Sequence, residues 1–251
     1  MDYNRFNDFR KFATGTKING QYVSGVAVDD FMKYNQKRSM YGPLNHQSVS
    51  IVDEHPQNVA IIDIYSKMIE NRIIFVSDIT SDSAPIISAQ LLYLSNTDSE
   101  KEISLYIESP GGEVYAGNEI VSCMNYIPNV INTVGMGLCA SYGAIILANG
   151  SYGHRFVHPM TSCMVHMPIG GADGCAADIE ITCKEINRLK EMLFENLANR
   201  TGHTYQEVVD FCIRDKWLTA KETIDWHLAD KILEPQPEKI ITYNEYIAQN
   251  P

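Results

Sequence analysis

The chain has 251 residues, of which 45% are hydrophobic and 20% are charged, and its formal net charge is −11. These values are typical of a soluble globular protein that is long enough to bury a substantial core. The negative charge argues against a nucleic-acid-binding protein, because phosphate contacts require an excess of Lys and Arg. The longest apolar run is interrupted by glycines and polar residues, so we expect neither a membrane span nor membrane binding.

The six cysteines are widely spaced and include no C-x-x-C pair. They are Cys123, Cys139, Cys163, Cys175, Cys183 and Cys212. The spacing indicates neither a zinc site nor a small disulfide framework, so we expect reduced thiols. No basic segment followed by an apolar one opens the chain, which argues against a signal peptide. Both features favour a cytoplasmic protein.

Residues 1–58 are predicted to be an N-terminal arm or axial-loop region without a core of its own. Aromatic residues recur every third position from Tyr3 to Phe12, which indicates a short amphipathic helix. A second short helix is predicted over residues 28–34 and a strand over residues 48–52. A flexible or processed tail and a docking segment both fit this pattern.

From residue 60 onward, predicted helices and strands alternate. The first helical face consists of Ile61, Ile62, Tyr65, Met68 and Ile69. Strands are predicted over residues 72–77, 103–108, 130–136, 154–157, 162–166 and 231–233. Further helices are predicted over about 82–95, 114–127, 141–148, 178–200, 204–213 and 219–226. This alternation indicates an α/β domain with a largely parallel sheet, which we place at residues 59–235, before a tail at 236–251.

The turn Ser109-Pro110-Gly111-Gly112 joins a predicted strand to a predicted helix. It lacks both the G-x-G-x-x-G pattern of dinucleotide sites and the Lys-Ser/Thr ending of a P-loop. We therefore expect no nucleotide site, and the sequence points to no other cofactor and no metal.

Ser141 stands where a strand-like run gives way to small residues and an apolar helix begins. We predict it in the first turn of a helix that runs to about Ala148. A helix start offers unpaired N–H groups and a positive dipole end, both of which favour an oxyanion. Gly137 and Gly143 would let another backbone approach closely. Taken alone, this stretch also fits a turn of small residues that serves only to pack a buried helix.

A nucleophilic serine needs a base and an orienting carboxylate. Among the seven histidines, His166 ends an apolar run and precedes a glycine loop, a position where catalytic side chains are common. Asp215 precedes a helix whose N-cap is predicted to be Thr219, but a charged turn explains it equally well. The residues alone do not show that these three side chains meet.

Seven stretches resemble, in order, the Clp protease proteolytic subunit family (caseinolytic protease P), a family of self-compartmentalised serine peptidases. They are Asp63-Ile64-Tyr65-Ser66, Arg72-Ile73-Ile74-Phe75, Tyr106-Ile107-Glu108-Ser109-Pro110-Gly111-Gly112, Ala140-Ser141-Tyr142-Gly143, Met164-Val165-His166-Met167-Pro168-Ile169-Gly170-Gly171, Asp178-Ile179-Glu180-Ile181 and Arg214-Asp215. The intervals between Ser141, His166 and Asp215 also agree with the family pattern.

The resemblance implies an α/β fold of repeated β-β-α units, as in Clp proteases and crotonases, with a protruding strand–helix handle. It implies a triad of Ser141 as nucleophile, His166 as general base and Asp215 as its orienting group. The backbone N–H groups of Gly112 and Tyr142 would form the oxyanion hole. The implied groove and handle residues are Gly111, Met167, Pro168, Ile169, Gly170 and Gly171.

By the same resemblance, the chain would be the ATP-independent serine endopeptidase core of a compartmentalised protease. It would cleave unfolded polypeptides that a separate AAA+ unfoldase of the Clp type delivers. Its subunits would assemble into a homo-oligomer of two stacked heptameric rings, a tetradecamer, in the cytoplasm.

Five residues depart from the family pattern. Cys139 replaces a small residue and Tyr142 replaces Met, while Met167 replaces Gln and Glu108 replaces Asn. His227 takes the place of a helix-ending Gly, at a cost of about 1 kcal/mol if the backbone is left-handed there.

These departures leave open a catalytically weak or non-catalytic subunit that acts as a structural or docking component of a mixed ring. The retained triad argues against that alternative. An acyl-CoA enzyme of the crotonase fold is a third hypothesis, disfavoured because such enzymes do not need a Ser-His-Asp set.

Overall fold

The computed structural model describes residues 17–18, 21–22, 50–55, 58–234 and 248. The chain divides into two compact units, residues 1–71 and residues 72–251. The helices predicted over residues 3–12 and 28–34 lie outside the described residues.

The described part of the first unit contains two antiparallel strand pairs and one helix. The strands are β1 (Lys17–Ile18), β2 (Gln21–Tyr22), β3 (Ser50–His55) and β4 (Asn58–Asp63). β1 pairs with β2, and β3 pairs with β4. The helix, α1, spans Ile64–Glu70.

The prediction that Ile61 and Ile62 belong to this helix was wrong. Both residues lie in β4, where they pair with residues of β3. The helix begins later because the Asp63 carboxylate accepts hydrogen bonds from the N–H groups of Tyr65 and Ser66, which makes Asp63 the N-cap.

A seven-stranded sheet forms the centre of the second unit. Its strands are β5 (Ile73–Val76), β6 (Ile103–Ser109), β7 (Ile131–Ala140), β8 (Arg155–Val157), β9 (Ser162–Val165), β10 (Lys216–Leu218) and β11 (Lys231–Ile232). The main order is β10-β9-β7-β6-β5, and β8 pairs with both β7 and β11. Every pair is parallel except β9 with β10, which confirms the predicted α/β class.

Six helices accompany this sheet in the described part of the second unit. They are α2 (Ser83–Thr97), α3 (Val114–Tyr126), α4 (Tyr142–Ala148), α5 (Ala176–Thr201), α6 (Tyr205–Cys212) and α7 (Ala220–Asp225). Capping boxes on Thr204 and Thr219 start α6 and α7, which confirms Thr219 as an N-cap. His227 follows α7 with φ 57°, the left-handed backbone that usually favours glycine. Across the described residues, no helix combines the length and apolarity needed to cross a membrane.

The long helix α5 has two different halves. Residues from Leu189 onward include the buried Leu193, Phe194 and Leu197, whereas no residue of 176–188 is buried. This exposed first half is the helical part of the predicted handle. The segment 166–175 before it contains no regular strand.

The central strand β7 changes partner along its length. Residues 133–135 pair with β8, and residues 138–140 pair with β9. Gly137 lies between these two stretches with φ 56°, a left-handed backbone that glycine adopts without a steric penalty. The prediction that this strand ends at Met136 was therefore wrong, because the kink at Gly137 redirects the strand instead of terminating it.

A largely buried ion pair joins the loop before β11 to β8. Nη2 of Arg155 lies 2.6 Å from Oδ1 of Asp230, and the two side chains are 4% and 19% exposed. Arg155 also donates to the carbonyl oxygens of Ala148 and Arg200, at the ends of α4 and α5. Burial alone would raise the pKa of Asp230, but the hydrogen bonds and charge of Arg155 outweigh it and lower the pKa.

We expect Asp230→Ala to lower the free energy of unfolding by about 3 kcal/mol, because it leaves the Arg155 charge buried without its partner. The pair stabilises the wild type fully above the usual aspartate pKa of 3.8, and this contribution is lost as pH falls through the lower folded pKa. The difference between the two proteins should therefore shrink in acid, which urea unfolding at several pH values measures.

Glu191→Ala is the matched control, because Glu191 is exposed on α5. We expect it to change the free energy of unfolding by less than about 0.5 kcal/mol. Equal losses in the two variants would contradict the role of the Arg155–Asp230 pair.

Candidate active site

Four segments that carry predicted site residues meet at one edge of the sheet. Gly112 follows the end of β6, Ser141 the end of β7 and His166 the end of β9. Asp215 precedes the start of β10, which runs antiparallel to β9 and therefore begins at the same edge. The carboxyl ends of parallel strands are the usual place for sites in α/β folds.

Strand register explains why these residues meet. Ala140 is the partner of Met164 in the β7–β9 ladder, and Ser141 N–H donates to the Met164 carbonyl at 2.7 Å. In the β9–β10 ladder, Lys216 is the partner of Val165, so the next antiparallel pair would bring Asp215 beside His166. The sequence did not predict β10, which has only three residues.

Ser141 and His166 are in hydrogen-bond contact. Nε2 of His166 lies 2.8 Å from Oγ of Ser141. The imidazole is 15% exposed, so it is shielded from solvent but can still be reached. When Nε2 is unprotonated, it accepts the hydroxyl proton, which is the geometry required of a general base.

Asp215 lies on the other side of the imidazole, at a longer distance. Its Oδ1 is 3.9 Å from Nδ1 of His166, and its side chain is 66% exposed. This separation is an ion-pair distance and exceeds a hydrogen bond. Catalytic hydrogen bonds are often long before substrate binds, so this distance is compatible with an orienting role.

The backbone of Ser141 is strained. Its φ of 54° and ψ of −122° lie outside the regions that non-glycine residues favour, at a cost of about 1–3 kcal/mol. Ser141 is the N-cap of α4 and precedes its first turn, which corrects the predicted position. Its side chain makes no capping hydrogen bond, so Oγ is directed to His166.

The glycines after β6 have no room for a side chain. A Cβ at Gly112 would stand 1.9 Å from the Ile79 carbonyl oxygen. A Cβ at Gly111 would stand 2.5 Å from Cβ of Ser141 and 3.0 Å from its Oγ. Gly111 therefore allows the loop to lie directly against the serine, and Gly112 allows it to lie against Ile79.

Two backbone N–H groups near Ser141, those of Gly112 and Tyr142, are candidates for contact with a bound substrate. Ile79 N–H donates to the Gly111 carbonyl, and Glu113 N–H donates to the Ile79 carbonyl. The N–H of Gly112 between them must face the opposite side of the extended chain, away from Ile79. Tyr142 is the first residue of α4, so its N–H has no intrahelical acceptor.

A cavity of about 220 Å³ adjoins these groups. Its lining is mostly apolar and comprises Gly112, Val114, Ser141, Tyr142, Ile145, Val165, His166, Pro168, Ile169, Leu193, Phe194 and Leu197. Of the predicted groove residues, Pro168 and Ile169 line this cavity, whereas Gly111, Met167, Gly170 and Gly171 do not.

Sequence reasoning missed the packing around Tyr142 and Cys139. The Tyr142 ring is 3% exposed and its hydroxyl donates to the Asn118 side chain, and burial raises its pKa. Cys139 and Cys163 are fully buried partners in the β7–β9 ladder. The neighbouring Cys163 side chain, together with burial, raises the pKa of Cys139, so its thiol stays protonated and unreactive near the serine.

All six cysteines lie in the described part of the chain, and none forms a disulfide. Over the same residues, no three His, Cys, Asp or Glu side chains converge in a way that could hold a metal ion. The chemical groups at the sheet edge are therefore a hydroxyl, an imidazole, a carboxylate and backbone N–H groups.

A serine on a sharp strand-to-helix turn, in contact with a histidine, is the arrangement found in enzymes that use a serine nucleophile. The model of the Clp protease family matches residues 56–236. The chain belongs to the Clp protease family.

Curated relatives match nearly the whole chain. The ATP-dependent Clp protease proteolytic subunit of Porphyromonas gingivalis is 37% identical over 91% of this chain and 98% of the relative. Proteins of the same name from Bacteroides fragilis and Bacteroides thetaiotaomicron are each 39% identical over 90% of this chain and 98% of the relative.

We expect Gly111→Ala to slow the reaction of Ser141 with a fluorophosphonate by about 10²-fold, because the new Cβ displaces the serine from its contact with His166. The rate of adduct formation, followed by mass spectrometry on the folded variant, measures this effect. Ser122→Ala, at an exposed position of α3, is the control and should react at the wild-type rate. A folded Gly111→Ala variant that reacts at the wild-type rate would contradict the close approach of Gly111 to Ser141.

Proposed function

We propose that the chain is the serine endopeptidase subunit of a Clp-type protease, with Ser141 as nucleophile, His166 as general base and Asp215 as orienting carboxylate. The observation that supports this best is the 2.8 Å contact between Nε2 of His166 and Oγ of Ser141. Membership of the Clp protease family and the apolar cavity beside the serine agree with it.

In this mechanism, Oγ of Ser141 attacks the carbonyl carbon of the scissile peptide bond while its proton passes to Nε2 of His166. The imidazolium then donates this proton to the leaving amine, and the acyl group stays on Ser141 as an ester. A water molecule, deprotonated by His166, hydrolyses the ester and regenerates the serine. Asp215 stabilises the imidazolium and favours the tautomer in which Nδ1 carries a proton.

The oxyanion of the tetrahedral intermediate would accept hydrogen bonds from the N–H groups of Gly112 and Tyr142. These donors are fixed before substrate arrives, so they stabilise charge that develops only on the way to the intermediate. One such donor is typically worth a factor of about 10²–10³ in rate. The strained turn at Ser141 supports this assignment, because it directly precedes Tyr142, the first residue of α4.

We propose that the substrate groove includes Gly111 and residues 167–171. Ile169, Gly170 and Gly171 are exposed, and the segment has no regular secondary structure. An extended peptide could therefore bind along it by adding a strand. Unfolded polypeptides fit this mode, because they present free backbone groups.

We further propose that the subunits form two stacked heptameric rings that work with an AAA+ unfoldase in the cytoplasm. The curated relatives are named ATP-dependent, whereas this sequence contains no P-loop, so a separate ATPase would supply the energy. The exposed half of α5 carries Ile179 and Ile181, which are 38% and 66% exposed and could be covered in an assembly. The unpaired cysteines agree with a reducing compartment.

We expect Ser141→Ala to abolish both hydrolysis of short fluorogenic peptides and labelling by a fluorophosphonate, because it removes the nucleophile. Asp215→Asn should lower kcat by about 10²–10⁴ and slow labelling without abolishing it, because His166 loses its orienting carboxylate while the serine and the oxyanion donors remain in place. Steady-state kinetics on purified variants measure both effects. Peptide hydrolysis by Ser141→Ala at the wild-type rate would overturn the assignment of the nucleophile.

The proposed assembly has an independent test. Native mass spectrometry should detect a complex of about fourteen subunits, since a closed double ring is the proposed chamber. A species of 28.2 kDa alone, at concentrations where peptides are cleaved, would contradict the ring.

A further inference from the structure

Tyr142 is packed against a helix position that has no side chain. A Cβ at Gly117 of α3 would stand 2.2–2.4 Å from ring atoms Cδ1, Cε1 and Cγ of Tyr142. Those distances are far below any van der Waals contact, so the ring occupies the space that a side chain at residue 117 would fill. Gly117 itself is buried.

The far end of the ring is fixed as well. The Tyr142 hydroxyl donates a hydrogen bond to Oδ1 of Asn118, the residue after Gly117. An aromatic side chain has only two rotatable bonds, so contact at the ring and a hydrogen bond at its tip hold it in one orientation. α3 therefore fixes the Tyr142 side chain from two adjacent positions.

Tyr142 also lines the cavity next to Ser141, together with Val114 of α3 and Ile145 of α4. Since Gly117 and Asn118 hold the ring from the side of α3, a shift of the ring away from α3 changes the space left in the cavity. The position of this ring is thus coupled to the size of the cavity next to the serine.

We propose that Tyr142, held by Gly117 and Asn118, determines the size of the side chain that the enzyme accepts immediately before the cleaved bond. This inference rests on the proposed peptidase function. The lining of the cavity selects an apolar side chain, and the ring position sets the largest one that fits.

The first test moves the ring into the cavity. Gly117→Ala adds a methyl group that the ring must avoid, so the cavity becomes smaller. We expect the ratio of kcat/KM for peptides with Phe before the cleaved bond to kcat/KM for peptides with Ala there to fall about tenfold, the effect of about one methylene in an apolar pocket. Ser122→Ala, at an exposed position of the same helix, is the control and should leave this ratio unchanged.

The second test removes the ring. Tyr142→Leu keeps the backbone N–H and an apolar side chain but vacates the space against Gly117, so the same ratio should rise severalfold. In the double variant Gly117→Ala/Tyr142→Leu, the added methyl group has room. The loss seen with Gly117→Ala should therefore largely disappear, and the two effects should be non-additive.

The outcomes separate this inference from the proposed function. Wild-type protein that neither cleaves peptides nor reacts with a fluorophosphonate would overturn the function itself. Active variants that all keep the wild-type Phe-to-Ala ratio would overturn only the role of Tyr142. If Gly117→Ala does not fold, an unchanged ratio in Tyr142→Leu alone still overturns it, and a raised ratio supports it.

Discussion

The pairing of β7 with β9 is the constraint on which the rest of the site depends. The last residues of β7 are held in register by β9, so the residues that follow the two strands, Ser141 and His166, are positioned by the same ladder. The kink at Gly137 makes this possible, because it moves β7 from β8 to β9 partway along its length. β10 pairs with the other side of β9, and Asp215, the residue before β10, therefore lies beside His166.

The strain at Ser141 is tolerated because the surrounding structure is tightly packed. Every residue of α4 is buried, so the helix cannot rotate to relieve the turn that precedes it. The Ser141 N–H is bonded to β9, and Gly111 contacts the serine from the side of β6. Such over-determined strain is typical of functional sites, where it fixes a reactive group before the substrate arrives.

The sequence predicted the α/β class, most helices and strands, and the residues that the structure gathers at one sheet edge. Periodicity was sufficient for long amphipathic elements such as α5, whose buried leucines recur at helical spacing. It failed where backbone pairing overrides the local pattern. Ile61 and Ile62 have apolar side chains compatible with either structure, and only the register with β3 makes them a strand. The three residues of β10 are too few to show any period, and the space that Gly117 provides for Tyr142 arises only when α3 and α4 pack together.

The proposed function requires the turn at Ser141 to present a nucleophile and two oxyanion donors at one point. A crystal structure of the protein after reaction with a fluorophosphonate tests this most directly. We expect a bond from phosphorus to Oγ of Ser141, with the phosphoryl oxygen about 2.7–3.1 Å from the backbone nitrogens of both Gly112 and Tyr142. An adduct on another residue, or a phosphoryl oxygen that points away from these two N–H groups, would contradict it.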